Sequence, residues 1–169
     1  MKHIRKRVWG TLLCLAMLLS LLPTVALAGE VTGVEYLDPT TGEPKTCPSA
    51  TVVTADSTAW RSADGTEEAW YVVNGDVEFA SRITVTGNVH LILVDGYTLT
   101  APNGISVTSG NSLTIYGQSP GDNAGELTAR AYQVGSCAGI GGNTGTDAAH
   151  GNITINGGII TAVSFGDAA

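Results

Sequence analysis

Positive charge is scarce in this sequence once its first 28 residues are set aside. The whole chain of 169 residues has eight Lys and Arg against fifteen Asp and Glu. Four of the eight basic residues lie in residues 1–28, which have no acidic residue, so residues 29–169 carry a net charge of −11. Proteins bind nucleic acid mainly by neutralising its phosphates with basic side chains. We therefore expect no nucleic-acid partner, and the acidity fits a soluble extracellular surface.

Cysteine and histidine are too few and too scattered to predict a zinc site. After residue 28 only Cys47 and Cys137 remain, 90 residues apart, and there is no Cys-x-x-Cys pair. They could form a disulfide in an oxidising compartment, but their separation and the different composition around them favour two unrelated thiols. His90 and His150 have no cysteine or histidine nearby in sequence, so the spacing of a zinc site is missing.

One stretch bears on a calcium site. The sequence Gly141-Gly-Asn-Thr-Gly-Thr-Asp147 is similar to the calcium-binding motif Gly-Gly-x-Gly-x-Asp, but it is one residue longer and occurs once. Because that motif works through stacked copies, we favour ordinary turn chemistry for this stretch. We predict no cofactor and no metal site, with Ca²⁺ as the weakly supported alternative.

Long hydrophobic runs are absent except at the N-terminus. Basic residues in Lys2–Arg7 precede the uncharged run Val8–Leu22, and the small residues Ala26 and Ala28 follow. This is the layout of a cleaved secretory signal peptide, with cleavage between Ala28 and Gly29. The run of about 15 residues is short for a membrane span, which needs roughly 20. We predict a signal peptide over residues 1–28, a secreted product and no membrane span after cleavage; an uncleaved anchor is the alternative.

Glycine is abundant in the second part of the chain, where it punctuates an internal repeat. Of the 22 glycines, 16 lie after residue 86. Three similar stretches begin at Gly87, Gly110 and Gly151, with starts 23 and then 41 residues apart. Each is followed by a second segment that ends in Thr-Ala, and the first two by a third that contains Gly-Ile. The segments alternate apolar with polar or small residues, which is typical of half-buried strands.

Repeats of this length, with three short strands each, fit one coil of a parallel β-helix. Stacked coils would place Leu113 with Ile153, and Ile115 with Ile155, in continuous apolar columns. We therefore predict an all-β protein with a right-handed parallel β-helix: residues 29–69 form an N-terminal lead-in and cap, and residues 70–169 form the coils. An antiparallel β-sandwich is the main alternative.

Asparagine recurs at the start of the three similar stretches. Asn88, Asn111 and Asn152 each follow the first glycine. If these positions stack, their amides could bond to one another along the axis as a structural ladder. The alternative is that each asparagine was selected separately because it tolerates a turn conformation. Recurrence at the same place in the repeat favours the ladder.

Aromatic residues are the candidates for sugar binding. Trp60, Trp70, Tyr71 and Tyr97 could stack on sugar rings, as aromatic platforms do in carbohydrate-binding proteins. The alternative is that the first three cover the open end of the first coil, and we favour this for Trp70 and Tyr71.

No group of residues in the repeats predicts catalysis. A polysaccharide lyase on such a fold would need a basic residue beside acidic ones, but neither Arg82 nor Arg130 lies in an acidic cluster. A glycosidase needs two carboxyl groups flanking the scissile bond, and the acidic residues of the repeats fall mostly at turns. We predict no catalytic site in this stretch.

Four segments of the sequence resemble those of a known protein family. They are Trp70-Tyr-Val-Val-Asn-Gly-Asp-Val77, Val89-His-Leu-Ile-Leu93, Asn111-Ser-Leu-Thr-Ile-Tyr-Gly117 and Ala138-Gly-Ile-Gly-Gly142. Together they resemble large surface proteins of Gram-positive gut bacteria whose Gly-Ile-Gly-Gly repeats build a β-helical stalk. A looser similarity is to β-helical carbohydrate-binding modules of secreted clostridial proteins. The resemblance implies a β-helical fold and an extracellular, cell-surface location, with no enzymatic activity to carry over.

The function that follows is a secreted or cell-surface structural and adhesive repeat protein. Its expected partners are polysaccharides or glycans of a host or cell surface. The second interpretation is an extracellular carbohydrate-binding module, and the third a fragment of a polysaccharide lyase or glycosidase. Because the family's proteins continue for many repeats, we expect this chain to be the N-terminal part of a longer protein; a short but intact secreted protein is the alternative.

Overall fold

The computed structural model describes residues 29–62, 68–131, 137–143 and 149–164, and these residues form strands without any helix. The predicted all-β class is therefore confirmed. None of the described residues belongs to a helix long and apolar enough to cross a membrane. The predicted signal peptide, with Ala26 and Ala28, lies outside the described residues.

The strands are β1 (Glu30–Val31), β2 (Glu35–Leu37), β3 (Pro44–Thr46), β4 (Ala50–Val52), β5 (Ala59–Arg61), β6 (Glu68–Val73), β7 (Val77–Glu78), β8 (Ile83–Thr86), β9 (Asn88–Leu93), β10 (Thr98–Ala101), β11 (Ile105–Val107), β12 (Ser112–Gly117), β13 (Glu126–Ala131), β14 (Ile140–Gly141), β15 (Asn152–Ile155) and β16 (Ile159–Ser164).

Three sheets contain all of these strands except β2 and β3, and from β6 onward the chain visits the three sheets in rotation. The first sheet has the order β1-β4-β6-β9-β12-β15, the second β7-β10-β13-β16 and the third β5-β8-β11-β14. Neighbouring strands are parallel throughout, except that β1 is antiparallel to β4. The antiparallel β-sandwich is therefore excluded. Strands β4 and β5, from the predicted lead-in, pair with β6 and β8 and so belong to the first and third sheets.

The core lies between the sheets and is built from apolar columns. Leu113 pairs in register with Ile153, and Ile115 with Ile155, as the repeat predicts. Leu113 and Ile115 are completely buried, whereas Ile155 is 53% exposed. The difference arises because β15 is the outermost strand of its sheet, so no described strand stacks on it. Each added strand buries the apolar side chains of the strand before it.

The register corrects the predicted asparagine ladder. Ser112 pairs with Asn88 on one side and with Asn152 on the other, and its hydroxyl is 2.6 Å from Asn88 Oδ1. Asn111 is one position away, and its Oδ1 accepts a hydrogen bond from the Gly87 amide at 2.8 Å. The three asparagines therefore do not share a column. A strand shifted by one residue would turn its apolar side chains outward, so burial of Leu113 outweighs alignment of the asparagines.

The Gly-Ile pairs of the repeat form a corner that Arg82 occupies. Ile83, Ile105 and Ile140 are in register in the third sheet. A Cβ on Gly104 would lie 2.5 Å from Arg82 Nη1 and 2.6 Å from the Gly139 carbonyl oxygen, and Gly104 has a φ of 73°. Only glycine therefore leaves room here for the guanidinium and provides the left-handed backbone without strain.

Arg82 ties three successive passes of the chain together. Its Nη1 donates to the Asn103 carbonyl at 2.8 Å and its Nη2 to the carbonyls of Ile105 and Gly142 at 3.4 and 3.3 Å. Its Nε donates to Asn143 Oδ1 at 3.0 Å. Burial lowers the pKa of this guanidinium from its usual value. The side chain holds β8, β11 and the segment after β14 in position.

Residues 33–47, which we call the flap, form an antiparallel hairpin of β2 and β3 outside the three sheets. Its turn is held by Asp38, whose Oδ1 accepts hydrogen bonds from the amides of Thr40 and Thr41 at 2.7 and 3.1 Å. Asp38 also forms an ion pair with Lys45 across the hairpin. The hydrogen bond to Lys45, followed by those from the two amides, lowers the Asp38 pKa to about 2. The Asp38 carboxylate therefore stays ionised at ordinary pH.

Candidate functional site: an aromatic row beneath the flap

The outer face of the first sheet carries an aromatic row. Side chains alternate along a strand, and β6 directs Tyr71 into the core and Trp70 outward. Trp70 is in register with His90 of the next strand. In the adjacent outward column, Ile92 is in register with Tyr116. We call Trp70, His90, Tyr116 and the flap residue Tyr36 the aromatic row.

The rings of this row stack on one another. The Trp70 and His90 centroids are 4.4 Å apart with an interplanar angle of 16°, and those of Trp70 and Tyr116 are 5.5 Å apart at 23°. Tyr36 lies against the rings of Trp70 and Tyr116, with centroid distances of 5.1 and 4.7 Å. Aromatic pairs at these separations contribute roughly 0.5–1.5 kcal/mol each beyond the area they bury. These contacts therefore stabilise the arrangement of the four rings.

His90 is the buried titratable group of the row, at 8% exposure. Its Nδ1 lies 3.2 Å from the Tyr116 hydroxyl. Its Nε2 is 3.6 Å from Glu68 Oε1 and has no hydrogen-bond partner among the described residues. Burial lowers the pKa of His90, because it penalises the charged imidazolium, and the nearby Glu68 carboxylate opposes this shift. Burial likewise raises the pKa of Tyr116.

The flap covers this row through a small set of contacts. Tyr36 supplies the ring contacts, and Gln118 Nε2 donates a hydrogen bond to the Glu35 carbonyl at 2.9 Å. Val34 and Cys47 pack with Ile92 in an apolar cluster on the same face. The whole of β3 is exposed. The flap therefore lies as a single layer over the sheet.

A groove of about 270 Å³ lies beside Trp70. Its lining residues carry an indole, two carboxylates, a guanidinium and three hydroxyl groups, and these polar groups can donate and accept hydrogen bonds to a polyhydroxylated ligand. Its lining residues are Glu30, Ser49, Thr51, Arg61, Glu68, Ala69, Trp70 and Tyr71.

The structure separates the four aromatic residues proposed for sugar stacking. Trp60 is completely buried and lies on the rings of Tyr71 and Phe79, so the stacking prediction for Trp60 is wrong. Tyr71 also faces the core, and its hydroxyl accepts a hydrogen bond from the Arg61 amide at 3.1 Å. Trp70 is half-buried on the outer face, so its predicted place over the coil end is wrong as well. Tyr97 is exposed, at 39%.

The remaining candidate groups are the two cysteines and the residues considered for metal binding. Cys47 and Cys137 are both buried and free, so they form no disulfide in this structure. No group of three or more His, Cys, Asp or Glu side chains in the described ranges could hold a metal ion. The calcium-like stretch lies partly outside these ranges, since residues 144–148 are not described.

Sequence reasoning missed the aromatic row. Tyr36, Trp70, His90 and Tyr116 are far apart along the chain, and only the register of three parallel strands places them together. One signal was present: in Val89-His-Leu-Ile-Leu93 the alternation turns His90 to the face opposite Val89 and Leu91. Comparison with protein-family models, curated proteins and solved structures found no match to this chain.

Proposed function

We propose that this chain is a secreted or cell-surface structural and adhesive protein built on a right-handed parallel β-helix. The single observation that supports it best is the in-register parallel stacking of strands in three sheets, visited in rotation. Such stacking produces a long, regular surface whose side chains repeat at about 4.8 Å. A surface of this kind suits repeated weak contacts with polysaccharides or cell-surface glycans.

The β-helix proposal rests on chain order. The chain passes from β9 to β10 to β11, then from β12 to β13 to β14, and each strand pairs with its counterpart in the preceding pass. Connections between parallel strands of one sheet are right-handed in about 98% of cases. We therefore assign a right-handed coil.

Paired cysteine substitutions should report this stacking. Thr100 is in register with Thr128 in the second sheet, and Thr114 with Thr154 in the first. Neighbouring positions about 4.8 Å apart suit a disulfide, whereas the diagonal pair Thr98 and Thr128, at about 8 Å, is too distant. We expect both in-register pairs to crosslink on oxidation and the diagonal pair to stay reduced, as read by non-reducing peptide mapping. Crosslinking of the diagonal pair alone would contradict the register.

The secreted location is proposed from the N-terminal sequence. Residues 1–28 have the layout of a signal peptide, and Gly29, the first residue after the proposed cleavage site, is exposed. Cleavage there would leave the strongly acidic chain outside the cell. N-terminal sequencing of the exported protein tests this directly, since it should begin at Gly29.

The absence of a catalytic site is supported by the engagement of the basic side chains. The Arg82 guanidinium is surrounded by carbonyl and amide oxygens, so it is not placed as the free base a lyase would need. Glu68 and His90 also form an acid–base pair, and the imidazole of that pair is buried and stacked on Trp70.

The groove beside Trp70 supports a second candidate function, a carbohydrate-binding module. An indole edged by carboxylates and hydroxyl groups offers stacking together with hydrogen bonding. The alanine variants of Trp70 and Tyr97 distinguish this candidate from a diffuse adhesive surface, because Trp70 lines the groove and Tyr97 does not.

A bead assay tests both candidates. Beads coated with the protein should be retained on polysaccharide or host-glycan surfaces more strongly than albumin-coated beads, without release of unsaturated or reducing sugars. Retention lost in Trp70→Ala but kept in Tyr97→Ala would favour the groove as a binding module, whereas retention kept in both would favour the repeating surface. Failure to bind any glycan would contradict the adhesive role, and sugar release would contradict the absence of catalysis.

A further inference from the structure

We propose that His90 is an acid-sensitive latch on the flap: when its imidazole takes up a proton, the flap lifts from the first sheet and uncovers Trp70 and Tyr116. This inference does not depend on the adhesive role. It rests on the geometry of the flap, on the contacts that hold it, and on the buried imidazole beneath it.

Both ends of the flap are anchored at one place, so it can lift without unfolding the sheets. The chain enters through β1 and leaves through β4, and these strands pair with Val31 opposite Ala50. Gly33, at the base of the flap, has a φ of 68°, in the left-handed region that glycine adopts easily. The base is therefore a suitable hinge.

The flap and His90 share the same two neighbours. His90 stacks on Trp70 and lies 5.8 Å from the Tyr116 ring, and Tyr36 of the flap contacts both of those rings. A displacement of the Trp70 or Tyr116 ring therefore changes the packing of Tyr36. The other contacts that keep the flap down are the packing of Val34 and Cys47 with Ile92 and the hydrogen bond from Gln118 to Glu35.

Protonation turns both imidazole nitrogens into donors. The hydroxyl of Tyr116 can accept from Nδ1, but Nε2 has only Glu68 Oε1 within reach, at 3.6 Å. At 3.6 Å the Glu68 carboxylate attracts the imidazolium but is too distant to accept a hydrogen bond from it. A buried donor without a hydrogen-bond partner costs free energy. Lifting the flap lets water solvate the imidazolium.

The groups around His90 decide the direction in which its pKa is shifted in the closed state. Glu68 faces His90 from β6 and Tyr116 faces it from β12, whereas Tyr36 of the flap contacts the rings of Trp70 and Tyr116. Asp38 and Lys45 neutralise one another across the hairpin. Stacking on Trp70 and the Glu68 carboxylate both favour the imidazolium, but burial is the larger effect and lowers the pKa of His90 in the closed state.

The sign of the pH dependence follows from linkage. With the flap lifted, the His90 pKa returns toward its ordinary 6.5, so the open state binds more protons than the closed state. The closed flap is fully stabilised above about pH 6.5 and loses stability as the pH falls below that value. Asp38 stays ionised over this range because its pKa is about 2, so it does not contribute to the transition.

The reactivity of the Cys47 thiol reports whether the flap has lifted. Cys47 is the last residue of the flap, is 1% exposed and lies in the apolar cluster between the flap and the first sheet. Burial raises the pKa of its thiol. The probe is 4,4′-dithiodipyridine, which reacts with thiols in acid. Labelling is quantified at each cysteine by peptide mass spectrometry on the full chain and is normalised to glutathione at the same pH. Cys137, also buried, reports on global unfolding.

We expect normalised labelling of Cys47 to be roughly fivefold faster or more at about pH 5 than at about pH 7.5, since each unit of linked pKa shift changes an equilibrium tenfold. His90→Phe, which keeps a ring but cannot titrate, should abolish this pH dependence, and Cys137 should stay protected at both values. Should His90→Phe not fold, His90→Gln and hydrogen exchange of residues 33–47 in the unmodified chain replace it. Equal labelling at the two values, an unchanged pH response in the variant, or matching exposure of Cys137 would each overturn the latch.

Discussion

Replacing Trp60 with alanine should lower the free energy of unfolding by about 3–5 kcal/mol, the usual cost of removing a large buried aromatic side chain. Trp60 is completely buried and lies 5.6 Å from the Tyr71 ring at 27° and 6.3 Å from the Phe79 ring at 76°. Because β5 is the terminal strand of the third sheet, no further described strand could close the resulting cavity. Urea titration followed by circular dichroism measures the change.

Tyr97→Ala is the matched control for this loss. Tyr97 is a large aromatic residue that is 39% exposed, so its removal should change stability by only about 0.5 kcal/mol. Trp60→Phe should have an intermediate effect, because it keeps a ring and removes the indole N–H, which has no partner in the described residues. Equal stability of Trp60→Ala and Tyr97→Ala would contradict the role of Trp60 as the closure of the core.

Replacing Arg82 with methionine should lower the free energy of unfolding by about 2–4 kcal/mol, because it leaves buried carbonyl groups without their charged donor. Methionine keeps most of the aliphatic stem, so the loss reports on the guanidinium. Its hydrogen bonds reach Asn103, Ile105, Gly142 and Asn143, which belong to two later passes of the chain. The effect should appear as a lower urea midpoint.

Two further variants define the role of this guanidinium. Arg61→Met removes an exposed arginine at the groove rim and should change stability by about 0.5 kcal/mol or less. Arg82→Lys keeps the charge but not the planar set of five donors, so it should recover only part of the loss. A fully stable Arg82→Lys would mean that charge alone, and not the fork of donors, holds the corner.

The repeats allowed much of the fold to be predicted. Alternation of apolar and polar residues indicates strands, and the columns of Leu113 with Ile153 and of Ile115 with Ile155 follow from it. The asparagines misled the alignment by one residue at Asn111. A turn residue is tolerated at either of two adjacent positions, whereas the buried leucine is not, so the core sets the register.

Trp60 and Trp70 show where the alternation of apolar and polar residues fails to predict which way a side chain faces. Trp70 is followed by Tyr71, Val72 and Val73, an unbroken apolar run in which no alternation distinguishes the inner from the outer face. The structure places Trp60 inside and Trp70 outside. Both faces of β6 carry apolar side chains because the flap covers part of the outer face. Nothing in the neighbouring sequence predicts that the flap lies there.

The scarcity of positive charge after residue 28 led us to expect no nucleic-acid partner. The amino-acid pattern was also sufficient to predict the all-β class and the apolar columns, because alternation is a local property. The tertiary structure alone decided how the few remaining cations are used: Arg82 is tied to carbonyls in later passes of the chain, and Lys45 is paired with Asp38. It also assembled Tyr36, Trp70, His90 and Tyr116. Those contacts depend on the register between strands and on the fold of the flap, which are set by burial summed over the whole core.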